Sequence, residues 1–109
     1  MDYEFEMRWQ SLVKELERDF GMPADVQAIL YLIGVQELGK GFKKFKKDDK
    51  VNLMHIAICR ILEPYGYYQY EGIDAEGWPH YTAIKKLPPL ESDQQQQLMK
   101  SAILDYFTE

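Results

Sequence analysis

The sequence is poor in the residues on which most catalytic and metal-binding sites depend. Its 109 residues include one cysteine, Cys59, and two histidines, His55 and His80. A single cysteine excludes an internal disulfide bond and the paired-cysteine zinc motifs. The sequence also has no nucleophile elbow, His-Glu-x-x-His helix or glycine-rich phosphate loop. These absences favour a non-enzymatic protein, and no cofactor is predicted.

Long apolar runs and a basic N-terminal region are also missing. No uncharged apolar run approaches the ~18 residues of a membrane-spanning helix, so we expect no membrane span. The first residues, Met-Asp-Tyr-Glu-Phe-Glu-Met-Arg-Trp, carry acids where a signal peptide has a basic segment and an apolar block. Together with the single cysteine, this predicts a protein of the reducing cytoplasm.

Apolar and aromatic residues, by contrast, are plentiful. They amount to 46% and 14% of the sequence, a composition typical of a folded globular protein. The length fits a single domain over residues 1–109, which is large enough for one hydrophobic core. Eight tyrosines and five phenylalanines are many for so short a chain, and aromatic side chains are favoured at interfaces. We therefore expect part of this surplus to lie at an interface.

The charge is distributed unevenly along the chain. The net charge is −5, but residues 40–50, KGFKKFKKDDK, carry +4 and the remainder carries −9. An acidic body disfavours nucleic acid, because phosphate contacts dominate that affinity. The basic segment alone is a candidate for anion binding, through Lys43, Lys44, Lys46 and Lys47. Alternatively, it is a solvated loop that Phe42 and Phe45 pin to the body.

Apolar periodicity predicts two helices in the first third of the sequence. The first covers about residues 3–20, where apolar side chains recur at spacings of three and four residues. The second begins at Pro23, a favoured first helical residue, and ends at Gly39 and Gly41. Gly34 inside this helix costs ~1 kcal/mol relative to alanine. It therefore predicts the close approach of a neighbouring backbone.

A third helix, a hairpin and a fourth helix follow. The third helix starts with Asp48 or Asp49 as N-cap and ends near Glu63, where Pro64 blocks its continuation. Two strands are predicted at residues 67–71 and 78–84, with a turn between them at residues 74–77. The last helix is predicted at residues 93–107. The fold class is therefore α+β and mostly helical: three helices, a β-hairpin and a C-terminal helix.

The third helix carries the most reactive side chains in the sequence. Helical spacing places Asn52, His55, Cys59 and Glu63 on one side, as a polar ridge beside the apolar arc. Imidazole and thiolate are good zinc ligands, and a neighbouring imidazolium lowers a thiol pKa. A structural zinc site needs about four ligands, however, so this pair is incomplete. Alternatively, the ridge meets solvent or the hairpin, with His55 hydrogen-bonded at the edge of the core.

Trp78 and His80 follow the predicted turn as a second cluster. The indole ring is a platform for a ligand, so both residues are candidate ligand-binding residues together with His55 and Cys59. Alternatively, Trp78 covers the core below the hairpin and His80 is exposed on an edge strand.

The order of three helices and a hairpin weakly resembles the winged helix, a DNA-binding fold. The connection of residues 39–47 is longer than the three- or four-residue turn of helix-turn-helix proteins. A strand between the first two helices, common in that fold, is not predicted.

Several segments resemble a group of small, uncharacterised bacterial proteins of about this length with no known activity. The similar segments are LIGVQELGKG at 32–41, Lys50 with LMHIA at 53–57, GYY at 66–68 and GWPH at 77–80. The resemblance spans nearly the whole chain. It implies a bacterial cytoplasmic setting and no catalytic residue.

Three functions are therefore open. The leading hypothesis is a small non-enzymatic interaction module that self-associates or binds a protein partner. An alternative is a small-molecule- or metal-binding protein that uses the ridge of His55 and Cys59 and the strand of Trp78 and His80. A second alternative is nucleic-acid or anion binding through Lys40–Lys50.

Overall fold

Four helices and one antiparallel hairpin form the part of the chain that the structure describes, in the order helix-helix-helix-hairpin-helix. The structure is a computed structural model, and it describes residues 3–21, 23–40, 44–86 and 92–108. The elements are α1 (Tyr3–Phe20), α2 (Val26–Leu38), α3 (Lys47–Leu62), a 3-10 turn (Glu63–Tyr65), β1 (Tyr68–Ile73), β2 (Pro79–Ala83) and α4 (Ser92–Phe107). The predicted α+β, mostly helical fold class is thereby confirmed.

Two predicted helix starts are wrong by a few residues. α2 begins at Val26 rather than Pro23, because Asp25 has an extended backbone and its carboxylate accepts the Ala28 N–H at 2.7 Å. Such a side-chain cap stabilises a helix by ~1 kcal/mol. α3 begins at Lys47, and neither predicted aspartate caps it, because both lie inside its first turn. There they face the positive end of the helix dipole.

The C-terminal end of α2 agrees with the sequence. Gly39 has a φ of 74°, in the left-handed region, and its N–H donates to the carbonyl oxygen of Val35. Gly41 lies outside the described residues, as do residues 87–91 between the hairpin and α4.

The centre of the core is the contact between α2 and α3, the most extensive contact between helices. Here Gly34 packs directly on the backbone of Leu53, so closely that a Cβ at position 34 would overlap the Leu53 carbonyl group. The predicted close approach at Gly34 is therefore confirmed. Among the described residues, the largest side chains that are almost fully buried are Ile29, Ile33, Leu53, Cys59, Ile61, Leu62 and Ile103.

α4 packs across α3, and polar contacts hold its last turns in place. The Tyr106 hydroxyl donates to Glu37 at 2.7 Å, and the Arg60 guanidinium lies 5.1 Å from the Tyr106 ring centroid. The Tyr65 hydroxyl donates to Asp105 at 2.6 Å. These contacts join α4 to α2, to α3 and to the 3-10 turn.

The hairpin agrees with the predicted turn and departs from the predicted strand lengths. β1 pairs with β2 in the register Tyr68↔Ala83 to Ile73↔Pro79, with an irregularity between Tyr70 and Gly72. Pro79 begins β2, where its missing N–H leaves the pairing intact. The turn closes through Gly77, whose φ is 88°. None of the helices in the described part of the chain is long and apolar enough to cross a membrane.

Candidate functional site

The hairpin lies over α3 and leaves an open groove of about 530 Å³ between them. We call it the hairpin groove. One wall is α3, which presents Asp49, Asn52, His55, Ile56 and Cys59. The other wall is the turn and the start of β2, which present Asp74, Glu76, Trp78, Pro79, His80 and Tyr81. The structure thus brings all four candidate ligand-binding residues predicted from the sequence to one groove.

On the α3 wall, the polar ridge is exposed at one end and covered at the other. Asn52 and His55 are exposed, but Cys59 is only 1% exposed. The hairpin causes this change, because β1 and β2 both pack on α3 and the Tyr68 ring stands edge-on to His55 at 6.4 Å. The expectation that Cys59 lies outside the core is therefore wrong.

The thiol is consequently not activated. Burial raises the pKa of Cys59 from 9.0 to about 11, because a desolvated thiolate is disfavoured. Its Sγ lies 3.6 Å from His55 Nε2, so the protonated thiol can donate to the imidazole when that nitrogen accepts. The suggestion that His55 lowers the pKa of Cys59 is thus wrong. The pair is suited to holding the imidazole in place, not to nucleophilic chemistry.

On the hairpin wall, Asp74 organises the turn and the start of β2. Its Oδ1 accepts the backbone N–H groups of Glu76 at 2.9 Å and Trp78 at 3.0 Å. Its Oδ2 lies 2.8 Å from His80 Nε2. The hydrogen bond from His80, followed by that from the Trp78 N–H, lowers the pKa of Asp74. The ionised carboxylate therefore fixes the positions of both Trp78 and His80.

Trp78 is held from behind as well. It packs against a small core cluster formed by Val35, Leu38, Phe45 and Leu53. The turn is also anchored to the end of α2, because the Lys40 ammonium donates to the main-chain carbonyl of Glu76. The hairpin wall is therefore fixed by apolar packing and by a polar contact before any ligand binds.

The groove is acidic. Asp49, Asp74 and Glu76 line it, and no lysine or arginine does so in the described part of the chain. Asp74 is engaged by its own turn and by His80. No hydrogen bond or ion pair is found for the carboxylates of Asp49 and Glu76 among the residues that the structure describes. Both are free to meet a ligand.

A metal site has less support than a small-molecule site. Within residues 3–21, 23–40, 44–86 and 92–108, no three histidine, cysteine, aspartate or glutamate side chains are grouped as ligands of a metal ion would be. The His55–Cys59 pair and the Asp74–His80 pair line the same groove from opposite walls. Each of these pairs is engaged internally.

The predicted anion-binding lysines do not form a comparable site. Lys43 lies outside the described residues, and Lys44, Lys46 and Lys47 are exposed around the start of α3. Phe45 between them is buried and meets the Tyr31 ring edge-on at 6.3 Å. The part of this segment that the structure describes is thus anchored by Phe45 and by Lys40, which donates to the Glu76 carbonyl. Lys44, Lys46 and Lys47 are exposed to solvent.

Sequence reasoning missed Asp49, Glu76 and Tyr81 as groove residues. Asp49 lies three residues before Asn52, so extending the polar ridge by one helical turn would have found it. Glu76 and Tyr81 gave no comparable signal, because their positions depend on how the hairpin lies on α3.

Comparisons with known protein families, curated proteins and solved structures found no match, so the resemblances to the winged helix and to the small bacterial proteins stay predictions.

A second surface of different character lies between α1, α2 and α4. Leu16, Phe20, Leu32, Val35 and Phe107 line a mainly apolar groove of about 270 Å³ between α1, α2 and α4. Nearby on α1, Met7 is 55% exposed and Phe20 is 44% exposed. This surface contains part of the aromatic surplus noted in the sequence.

Proposed function

We propose that the protein binds a small molecule in the hairpin groove and performs no covalent chemistry on it. The convergence of His55, Cys59, Trp78 and His80 on one groove is the observation that supports this proposal most strongly. Two separate segments of the chain provide the two walls. The volume of about 530 Å³ lies within the range of about 300–1,000 Å³ that is usual for ligand pockets.

The construction of the groove also fits recognition. Trp78 is a rigid aromatic surface, and Asn52 and His55 are exposed hydrogen-bonding groups facing it across the groove. Such a combination of an apolar platform and a few fixed polar groups orients small ligands. The raised pKa of Cys59 leaves the groove without a ready thiolate nucleophile, which favours binding over catalysis.

The proposal is tested by an NMR fragment screen of the ¹⁵N-labelled protein. We expect ligands that shift the amide signals of residues 52–59 and 74–81 and leave those of α1 unchanged. Asn52→Ala should weaken binding without unfolding the protein, because Asn52 is exposed. Gln27→Ala, a change at an exposed residue of α2, is the matched control and should have no effect. A broad screen that shifts no amide signal around the groove would refute the proposal.

Association with a protein partner, including a second copy of this chain, is a second candidate. The apolar groove beside Phe20 and the exposed Met7 favour it, because exposed apolar patches often mark interaction surfaces. Sedimentation velocity from low micromolar to near-millimolar protein tests self-association. Phe20→Glu should abolish any dimer, whereas Val51→Glu, which changes an exposed apolar residue of α3, should not. A monomer over the whole range would refute self-association.

A further inference from the structure

The charges of the hairpin groove narrow the class of ligand, and this inference rests on the proposed function. The groove is lined by the carboxylates of Asp49, Asp74 and Glu76 and by no lysine or arginine among the described residues. An anionic ligand would lie close to three carboxylates, whereas a cation would be attracted by them. Asp49 is also partly buried, so water screens its charge less than that of a fully exposed acid.

Lys40 carries a positive charge beside the turn, but it does not change the preference of the groove for a cation. Its ammonium donates to the main-chain carbonyl of Glu76, not to a carboxylate of the groove. It also lies against Gly77, where an added Cβ would meet its Cε at 3.3 Å. Lys40 therefore supports the turn from outside and does not line the groove.

The hydrogen-bonding groups on the two walls of the groove favour a ligand that donates. Asp74 Oδ2 lies 2.8 Å from His80 Nε2, which places the imidazole proton on Nε2 in the neutral tautomer. Nδ1 of His80 is then an acceptor. The free carboxylates of Asp49 and Glu76 are acceptors only. A protonated amine satisfies all of these groups, because it presents donors and a positive charge together.

Trp78 adds a preference for a flat, positively charged group. The face of an indole ring carries negative charge density and attracts cations, and its area stacks well on planar rings. The ring is supported by the core cluster of Val35, Leu38, Phe45 and Leu53. A planar group can therefore lie on Trp78 without displacing the wall.

We infer that the hairpin groove binds a small organic cation, in which an amine or amidine nitrogen is attached to a flat ring. The ring lies against Trp78, and the cationic nitrogen lies between the carboxylates of Asp49 and Glu76. Phosphates and carboxylates are excluded by the same charges.

A matched series of probes tests the charge directly. Tryptamine, tryptophol and indole-3-acetate share the indole ring and carry a positive, a neutral and a negative group. Benzylamine, benzyl alcohol and benzoate form a second series with a smaller ring. Each probe is titrated into the ¹⁵N-labelled protein at about pH 8, with all probes in the same buffer. The Trp78 indole N–H signal and the amides of residues 52–59 and 74–81 report binding.

In each series we expect the cation to bind about tenfold more tightly than the neutral compound and the anion not to bind. Added salt should reduce this preference, because the carboxylates are largely accessible to ions. The double variant Asp49→Asn, Glu76→Gln should lose the preference and keep the affinity for the neutral compound. Asp93→Asn, which removes an exposed acid of α4 that does not line the groove, should change neither.

The outcomes separate this inference from the proposed function. Equal or tighter binding of an anion, or a preference for the cation that survives in the double variant, would overturn the inference that the ligand is an organic cation. The proposal that the groove binds a small molecule would still stand. The same holds if the fragment screen finds only neutral or acidic ligands that shift the groove amides. If neither the probes nor the screen shifts those amides, both proposals fail.

Discussion

Replacing Gly34 with alanine tests the central packing of the fold, because this residue lies where α2 crosses α3. A Cβ at position 34 would lie 2.6 Å from the Leu53 carbonyl carbon and 3.0 Å from the Leu53 Cβ. The first obstacle is backbone, so no side-chain rotation relieves the overlap. The two helices must move apart, and the well-packed residues around them must follow.

The expected magnitude is the balance of two opposing effects. Alanine favours the helix over glycine by ~1 kcal/mol. Forcing extra volume into a packed core costs typically ~1–3 kcal/mol, and the rigid obstacle places Gly34 at the upper end of that range. We therefore expect Gly34→Ala to lower the free energy of unfolding by about 2 kcal/mol. For a domain of this size that lowers the melting temperature by about 8 °C.

Urea denaturation followed by circular dichroism measures this change. The midpoint should fall while the slope of the transition stays constant, because the native fold is retained. Gln36→Ala is the matched control: it lies in the same helix, is exposed, and should be nearly neutral. If Gly34→Ala stabilised the protein by ~1 kcal/mol, helix propensity alone would explain the result. The close approach of Gly34 to the Leu53 backbone would then be refuted.

Three further predictions follow from single groups around the hairpin groove. Because burial raises the pKa of Cys59 to about 11, a maleimide should label the native protein far more slowly than the denatured protein; equal rates would contradict the burial of this thiol. Burial, followed by the charges of Glu37 and Glu63, raises the pKa of Tyr81 from 10.0 to about 12. As the pH rises, the unfolded chain therefore loses the Tyr81 proton first. The contribution of protonated Tyr81 to the free energy of unfolding is thus present below about pH 10 and is lost as the pH rises towards 12. In Tyr81→Phe, the free energy of unfolding should depend less steeply on pH in that window. An unchanged pH dependence would count against the raised pKa of Tyr81. Asp74→Ala removes the acceptor of two turn N–H groups and should accelerate hydrogen exchange across the hairpin. Asp74→Asn should preserve more of the protection, and equal exchange in the two variants would refute the role of Oδ1.

Local patterns in the sequence predicted most of the fold, because each depends on residues close together in the chain. The apolar spacing of α1, the helix end at Gly39 and the turn from Asp74 to Gly77 are examples of this kind. The start of α2 was wrong because two local preferences compete there. Pro23 favours an early start, but Asp25 accepts the Ala28 N–H at 2.7 Å and caps the helix two residues after the proline.

The candidate site was predicted as two separate halves. Helical spacing placed His55 and Cys59 on one ridge, and strand position grouped Trp78 with His80. Their meeting across one groove was only a hypothesis, because helical and strand periodicity say nothing about how a hairpin lies on a helix. For the same reason the burial of Cys59 was not predicted. This residue borders the apolar arc on the isolated helix but is buried once β1 and β2 cover it.

The sequence by itself determined the order of the elements, the turn at Asp74, the close approach at Gly34 and the polar ridge on α3. Each of these depends on backbone preferences or on a repeat along a single element. Tertiary structure alone decided that the hairpin wall faces the ridge. That arrangement depends on Trp78 packing against the core cluster of Val35, Leu38, Phe45 and Leu53 and on Lys40 donating to the Glu76 carbonyl. These contacts join residues far apart in the chain, and their geometry exists only after the helices have packed.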